Sequence, residues 1–158
     1  MEADEVWAEI ELIYRSRLPR FERVARAVTG DRESALEAVQ DGFADALRNA
    51  HSYTAAGPLE GWVWRCVVNR ALKARSRPTL PEVEAGAEDD GNASGDADVR
   101  ARVAALPERQ RLVVFLRYYA DLGYREIAAA LDVETGTVSA TLSAAHASLR
   151  ASLMGVRR

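Results

Sequence analysis

The feature that most constrains the fold is an acidic, glycine-containing interval near the middle of the chain. Residues 82–98 contain seven acidic side chains, three glycines and no Lys or Arg. This segment has too little apolar surface to offset the entropy lost on folding, so it predicts a solvated, flexible linker. Pro78 and Pro81 precede it and disfavour a continuing helix. The 158-residue chain is therefore expected to form two small units.

Apolar residues recur at spacings of three and four on both sides of this interval, which predicts amphipathic helices. In the first unit, one predicted helix buries Leu36, Val39, Phe43 and Leu47, and Asp31 is its expected N-cap. Pro19 is expected to start a new segment or to kink the first helix. A later helix follows Pro58 and turns its arginines outward; it is expected to bury Leu59, Val63, Cys66 and Val67.

The second unit has the pattern of a helix-turn-helix. A helix is predicted after Pro107, a turn at 121–123, a short helix around Ile127, and a further helix from about Thr135. Two helices joined by a short turn, the first too short to be stable alone, are typical of this motif. We therefore predict an all-α fold of two small helical domains, at residues 1–78 and 99–158, with the acidic linker at 79–98.

Composition excludes several function classes. Cys66 is the only cysteine, so an internal disulfide is impossible, and two distant histidines do not suggest a metal site. No glycine-rich phosphate loop or nucleophile elbow occurs, so neither an enzyme nor a cofactor is expected. The chain has neither an apolar run of membrane-spanning length nor a signal-peptide pattern at its start, which predicts a cytoplasmic protein without membrane insertion.

The charge is distributed unevenly along the chain. The formal net charge is −3, yet residues 60–78 carry five basic side chains and only one acid, Glu60. Exposed charges act over roughly 8–10 Å at physiological salt, so local charge matters more for binding than the net value. A helix in this stretch can therefore contact nucleic-acid phosphates.

Several segments resemble those of the sigma-70 family of RNA polymerase initiation factors. Residues 106–118, 123–131 and 136–138 resemble the C-terminal domain that binds the −35 promoter element. Residues 37–47 resemble the polymerase-binding helix, and residues 61–75 resemble the helix that recognises the −10 element. The order and spacing of these segments resemble the extracytoplasmic-function group over roughly residues 5–154. The resemblance implies that core RNA polymerase and promoter DNA are the partners.

The resemblance also assigns roles to individual side chains, although ordinary solvated helix faces would carry similar charges. The implied polymerase contacts are Glu37, Gln40, Asp41 and Asp45. A protein that binds unpaired bases of the −10 element needs aromatic side chains on which the bases stack. It also needs cationic side chains that bind the phosphate backbone of the DNA. We expect Trp62 to lie in the core and Trp64 to be exposed. The implied −10 contacts are Tyr53 in the base-capturing loop 51–57, and Trp64, Arg65, Asn69, Arg70 and Lys73.

The predicted recognition helix departs from the family pattern. Family members carry several Lys and Arg residues there, whereas no charged side chain occurs between Thr137 and Leu149. Each missing bidentate base contact removes about 1–3 kcal/mol of discrimination. The helix could therefore pack well yet bind DNA weakly. The remaining candidates for −35 contacts are Arg109 and Arg125 from preceding helices and the hydroxyls of Thr137, Ser139, Thr141 and Ser143.

Three functions remain open from the sequence. The first is a promoter-specificity factor that directs polymerase and melts the −10 region. The second is a sigma-like interaction protein that binds polymerase or a regulator but has lost much −35 recognition, as the uncharged helix suggests. The third is a helix-turn-helix repressor, which would bind a palindromic duplex as a dimer. The resemblance further implies that an anti-sigma protein could regulate the chain and that the acidic linker could imitate nucleic acid inside polymerase.

Overall fold

The computed structural model describes residues 2–75 and 93–155, with side chains from residue 98 onward in the second range. Within these ranges every regular element is helical and no strand occurs, so the predicted all-α fold is confirmed. Residues 79–92 of the predicted linker lie outside the described residues. The helices are α1 (Ala3–Thr29), α2 (Arg32–Arg48), α3 (Leu59–Arg75), α4 (Ala93–Ala104), α5 (Glu108–Val114), α6 (Tyr124–Leu131) and α7 (Thr135–Gly155).

Helices α1, α2 and α3 pack around a cluster of aromatic side chains. The Phe21 ring stacks on the Trp64 indole with centroids 3.8 Å apart, and Phe43 meets Phe21 edge-on at 4.8 Å. All three side chains are buried. One residue from each helix contributes to the cluster, so burial of these large apolar surfaces holds the first unit together.

Helix α1 continues through Pro19 as one 27-residue helix, so no new segment starts at this residue. Proline removes one backbone donor, but the helix buries Val6 and Ile10 before Pro19 and Phe21 and Val24 after it. Packing on both sides outweighs the local cost of the proline. The helix ends at Gly30, whose φ of 90° lies in the left-handed region that glycine adopts without strain.

The start of α2 confirms the predicted N-cap, because the Asp31 carboxylate accepts a hydrogen bond of 2.7 Å from the Ser34 amide. Within α2, Val39 and Phe43 are buried as expected. Leu36 is not buried, since 37% of its surface is exposed. Its position one turn before Gln40 places it on the outward face of the helix instead.

Helices α4 to α7 form the second unit, and α6 and α7 adopt the predicted helix-turn-helix. Asp132 ends α6 in the left-handed region at a φ of 55°, and α7 begins three residues later. A π-helical turn at Phe115–Tyr119 follows α5. Helix α4 begins at Ala93, inside the interval predicted as linker. Alanines and the acids Asp96 and Asp98 near its start favour a helix there.

The two units contact each other through α3 and α6. A β-carbon placed on Gly61 of α3 would lie 2.6 Å from the Ala129 Cβ and 2.8 Å from the Glu126 carbonyl oxygen of α6. Such distances are shorter than van der Waals contact, so glycine at this position allows the two helices to approach closely. The basic helix of the first unit thus lies against the helix-turn-helix.

Helices α2 and α3 approach even more closely at Gly42, which gives a stability prediction. A β-carbon there would lie 2.6 Å from the Val67 Cα, a backbone atom that cannot rotate away. We expect Gly42→Ala to lower the free energy of unfolding by about 1–3 kcal/mol through overpacking. Urea denaturation followed by circular dichroism measures this loss.

Gly136→Ala is the matched control, because a β-carbon at this helical position meets nothing within 4 Å. Replacing a helical glycine in open space should leave stability unchanged or raise it by up to about 1 kcal/mol. A Gly42→Ala protein as stable as the control would show that α2 and α3 do not pack this closely.

Candidate polymerase and nucleic-acid interfaces

Helix α3 presents a row of polar side chains on one face. Arg65, Asn69 and Lys73 follow each other at intervals of four residues, and all three are exposed. The interval of four brings successive side chains to the same side of an α-helix. The structure therefore brings these three predicted −10 residues together, with two cations flanking one amide that can pair with a base edge.

The structure contradicts the predicted exposure of Trp64 and places Trp62 at the edge of the core. Trp64 is completely buried against Phe21, whereas Trp62 is only partly buried. Trp64 shares its helix face with Val67, Val68 and Ala71, which are all buried. This spacing is present in the sequence and would have identified Trp64 as the core residue. Trp62, not Trp64, is the aromatic side chain available beside the loop.

The loop before α3 is closed by a tyrosine. The Tyr53 hydroxyl donates a hydrogen bond of 2.5 Å to the Gly57 carbonyl oxygen, and its ring lies 5.6 Å from that of Trp62. Burial, followed by the nearby charge of Glu9, raises the pKa of Tyr53, so the hydroxyl stays a neutral donor. Ala55 holds a left-handed φ of 61°, which fixes the turn at a modest energetic cost.

This loop forms one wall of a cleft of about 490 Å³. Tyr53, Trp62 and Arg65 line the cleft from the first unit, and Arg125 and Ala129 line it from the second. Two aromatic rings and two guanidinium groups around a cavity of this size suit a planar, negatively charged ligand such as a nucleotide base with its phosphate.

Arg70 and Asp45, two of the predicted contacts, are engaged with each other. The Arg70 guanidinium donates to both Asp45 carboxylate oxygens, at 2.5 Å and 2.8 Å, and Arg48 also pairs with Asp45. The hydrogen bond from Arg70 is the main reason that the pKa of Asp45 is lowered, although burial opposes it. These side chains join α2 to α3, and both remain partly exposed.

The outward face of α2 retains the other predicted polymerase contacts. Glu37 and Gln40 are exposed, and Asp41 is partly exposed. The exposed Leu36 lies on the same face and adds an apolar side chain that the sequence prediction had placed in the core. An apolar residue among polar ones is typical of a protein–protein contact.

The outward face of α7 carries small hydroxyl and methyl groups. Thr137, Ser139 and Ser143 are exposed, but the Thr141 hydroxyl donates to the Thr137 carbonyl oxygen at 2.6 Å. The Thr141 hydroxyl group is therefore already hydrogen-bonded within α7, which makes Thr141 a weaker candidate for a DNA contact. This face can approach another surface closely but offers few strong hydrogen-bond donors.

The predicted arginines of the second unit lie near the first unit. Arg109 lines a second cleft of about 340 Å³ together with Arg65 and Asn69, and Arg125 lines the cleft beside the loop. The structure thus places Arg109 and Arg125 toward α3. They do not extend the outward face of α7.

Residues 2–75 and 93–155 also show which other kinds of site the described part of the chain contains. These ranges contain no group of three or more His, Cys, Asp or Glu side chains that could hold a metal ion. Burial raises the pKa of the Cys66 thiol to about 11, which leaves it largely protonated and a poor nucleophile. None of the helices in these ranges is long and apolar enough to cross a membrane.

Comparison with known proteins shows two matches to one family. Residues 13–78 match the family model of sigma-70 region 2, and residues 96–149 match the family model of sigma-70 region 4. The first match includes the loop and α3, and the second includes the helix-turn-helix. The two matches therefore include both surfaces described above.

Curated relatives and a solved structure agree with these matches. The chain is 28% identical to the ECF RNA polymerase sigma factor SigE of Mycolicibacterium smegmatis, covering 91% of this chain but only 60% of that protein. It is 29% identical to SigM of Mycobacterium tuberculosis, over 90% of this chain and 76% of SigM. The fold resembles CnrH, solved in complex with the cytosolic domain of CnrY, with a TM-score of 0.72, 19% identity, and coverage of 97% and 95%.

The Asp45–Arg70 pair predicts a pH-dependent stability. A lowered carboxyl pKa stabilises the fold above the ordinary pKa of aspartate, near 4, and this contribution is lost as the pH falls through the lower folded value. We expect Asp45→Asn to lower the free energy of unfolding by about 1–2 kcal/mol at pH 7. Urea denaturation between pH 7 and pH 3 should show the difference from the unmodified chain shrinking with acidity.

Glu11→Gln is the control, because Glu11 forms an ion pair with Arg15 in which both side chains are well exposed. Exposed pairs contribute little, so this variant should match the unmodified chain at every pH. A loss at Asp45→Asn that stayed constant down to pH 3 would contradict the assignment to the carboxylate charge.

Proposed function

The chain belongs to the sigma-70 family of RNA polymerase factors, in its extracytoplasmic-function group, and we propose that it binds core RNA polymerase and directs transcription initiation at promoters. The first unit would bind polymerase and the −10 element, and the second the −35 element. Residues 1–78, 79–98 and 99–158 are the corresponding domains and linker. We expect the protein to act in the cytoplasm, without enzymatic activity or a cofactor.

The exposed row of Arg65, Asn69 and Lys73 is the observation that carries this proposal. A single helix face combines two phosphate-binding cations with an amide that can form paired hydrogen bonds to adenine. The loop with Tyr53 and the half-buried Trp62 adjoin this face. A base separated from its partner strand could enter between these rings, while the cations hold its backbone.

The outward face of α2 is the proposed polymerase contact. Leu36, Glu37, Gln40 and Asp41 form this surface, which we call the α2 face. The Asp45–Arg70 pair links α2 to α3. It therefore keeps the proposed polymerase-binding and DNA-binding faces at a fixed orientation, and Asp45 is a positioning residue in this scheme.

The second unit supports a second candidate function. The α7 face contains no charged side chain between Thr137 and Leu149, and the Thr141 hydroxyl is already engaged. Few phosphate contacts mean weak binding of the −35 element, with a shallow dependence on salt concentration. The chain could then depend on polymerase and the −10 contacts alone, or act as an interaction protein. CnrH was solved with the cytosolic domain of CnrY, and a regulatory protein partner for this chain is part of the proposal.

The α2 face can be tested by binding to polymerase. We expect Gln40→Ala combined with Asp41→Ala to weaken association with core RNA polymerase by about tenfold, as loss of contact side chains does at protein interfaces. A pull-down titrated with purified core enzyme measures this change. Glu9→Ala combined with Glu11→Ala, on the exposed surface of α1, is the control and should bind normally. Equal binding by both double variants would refute the assignment.

The α3 row can be tested at the strand-opening step. We expect Asn69→Ala combined with Lys73→Ala to reduce permanganate reactivity of −10 thymines about tenfold or more, while DNA binding in the closed complex changes less. The reason is that an amide directed at a base acts only after the strands separate. Arg15→Ala, an exposed arginine of α1, is the control. Parallel losses in closed and open complexes would count against a role in opening.

A further inference from the structure

Both ends of the base-capturing loop at residues 51–57 are fixed to the first unit. On the incoming side, the Asn49 carbonyl oxygen accepts hydrogen bonds from the Ser52 amide at 2.9 Å and from the Ser52 hydroxyl at 2.7 Å. Ala50 just before the loop and Leu59 just after it are buried in the core. Any movement of the loop is therefore confined to the few residues between these anchors.

Tyr53 joins the two sides of the loop. Its hydroxyl donates a hydrogen bond of 2.5 Å to the carbonyl oxygen of Gly57, four residues further on. Its ring is partly buried and lies 5.6 Å from the ring of Trp62, a residue in the first turn of α3. Apolar packing thus fixes the ring, and the polar end of the same side chain holds Gly57. We call this hydrogen bond the Tyr53 clamp.

The Tyr53 clamp closes a tip of three residues, Thr54, Ala55 and Ala56, whose backbone is open to a ligand. All three residues are exposed. Within the part of the chain that the structure describes, their amides donate to no backbone carbonyl oxygen. A nucleobase carries oxygen and nitrogen atoms along its edges that accept hydrogen bonds. The small side chains at positions 55 and 56 leave room for such an edge to approach the backbone.

Ala55 gives this tip an unusual backbone conformation. Its φ of 61° lies in the left-handed region, which residues other than glycine seldom adopt. Such conformations persist only where the surrounding structure determines them, and they are frequent at ligand-binding sites. The Tyr53 clamp spans Ala55 from residue 53 to residue 57, so it is the contact that restrains this residue.

The loop tip is positioned by the same helix that carries the α3 row. Tyr53 packs on Trp62, and Arg65, the first residue of the row, follows Trp62 by three residues, less than one turn of α3. A strand whose phosphates bind the cations of the row therefore passes close to the loop. The base of one nucleotide and the phosphates beside it can be bound at the same time by parts of one unit.

We propose that Tyr53 is a positioning residue that preforms the loop tip for one unpaired base, and that the Tyr53 clamp sets how strongly the chain discriminates among bases there. Backbone groups of residues 54–56 bond to the base edge, and Tyr53 acts through them. The inference rests on the proposed function, because the base belongs to the opened −10 element. A preformed tip loses little conformational entropy on binding and cannot rearrange to accept a wrong base.

Tyr53→Phe removes only the hydroxyl group, so it tests the clamp in the free chain. The ring should keep its packing on Trp62, while the loop tip should become mobile. We expect the order parameters from 15N relaxation at residues 54–56 to fall from about 0.85 to below about 0.6. Tyr14→Phe is the matched control, because its ring packs on Phe43 and its hydroxyl has no hydrogen bond within the described residues. The control should leave the loop tip ordered.

Base discrimination is measured with reconstituted holoenzyme and forked promoter DNA. An abasic scan of the unpaired −10 strand first identifies the position at which loss of the base weakens binding most. Forks with each of the four bases at that position are then compared. We expect the unmodified chain to favour one base by about tenfold, and Tyr53→Phe to reduce this preference to about twofold. The affinity for the abasic fork should be equal for both proteins, because no base is present to be recognised.

The abasic fork separates positioning from a general structural loss. A Tyr53→Phe protein that bound the abasic fork and all four base-containing forks less tightly by one common factor would overturn the proposal. Ala55→Val reaches the same state by another route, because a β-branched residue is strongly disfavoured at a left-handed φ. It should reduce the base preference in the same way although the Tyr53 hydroxyl is present.

The two readouts distinguish failure of this inference from failure of the proposed function. A holoenzyme of the unmodified chain that bound no fork would contradict the proposed function. A loop tip as ordered in Tyr53→Phe as in the unmodified chain, or a base preference that survived the substitution, would overturn the role of the Tyr53 clamp and leave the proposed function standing.

Discussion

The packing of α3 into the first unit determines what the rest of the chain can do. Trp64 stacks on Phe21, and Gly42 allows the backbone of Val67 to approach α2. These contacts fix the rotation of α3 about its axis, and a helix rotated by one residue would turn its row of polar side chains by about 100°. The outward position of Arg65, Asn69 and Lys73 therefore follows from the shape of the core.

The same helix contacts both units of the chain. Its core side is held by α1 and α2, and the Asp45–Arg70 pair ties it to the helix that presents the α2 face. Part of its outer side meets DNA in the proposed function, and Arg65 on that side forms an ion pair with Asp132 at the end of α6. A polar helix face suits both partners, because charges that bind phosphate can also pair with acidic side chains.

The sequence was sufficient for α2, α3, α5, α6 and α7, their order and the N-cap at Asp31, because periodicity and capping are local properties. It did not predict α4, whose start lies in the interval predicted as linker. The α3 row could also be predicted, since a spacing of four fixes a common face. The exposure of Trp64 was predicted wrongly, although the buried positions at 64, 67, 68 and 71 follow the helical spacing that identifies it as a core residue. Engagement of Arg70 by Asp45 and the contact of Gly61 with Ala129 join residues distant in sequence, so no local pattern reveals them.

Transcript mapping with reconstituted holoenzyme on genomic DNA tests the central claim most directly. Core RNA polymerase supplied with this chain should start transcripts at a limited set of positions that share upstream sequence at the −10 element, with a weaker common sequence at −35. Core enzyme without the chain should not use these positions. Firm binding of the chain to polymerase without any chain-dependent start site would contradict an initiation role and favour the interaction protein instead.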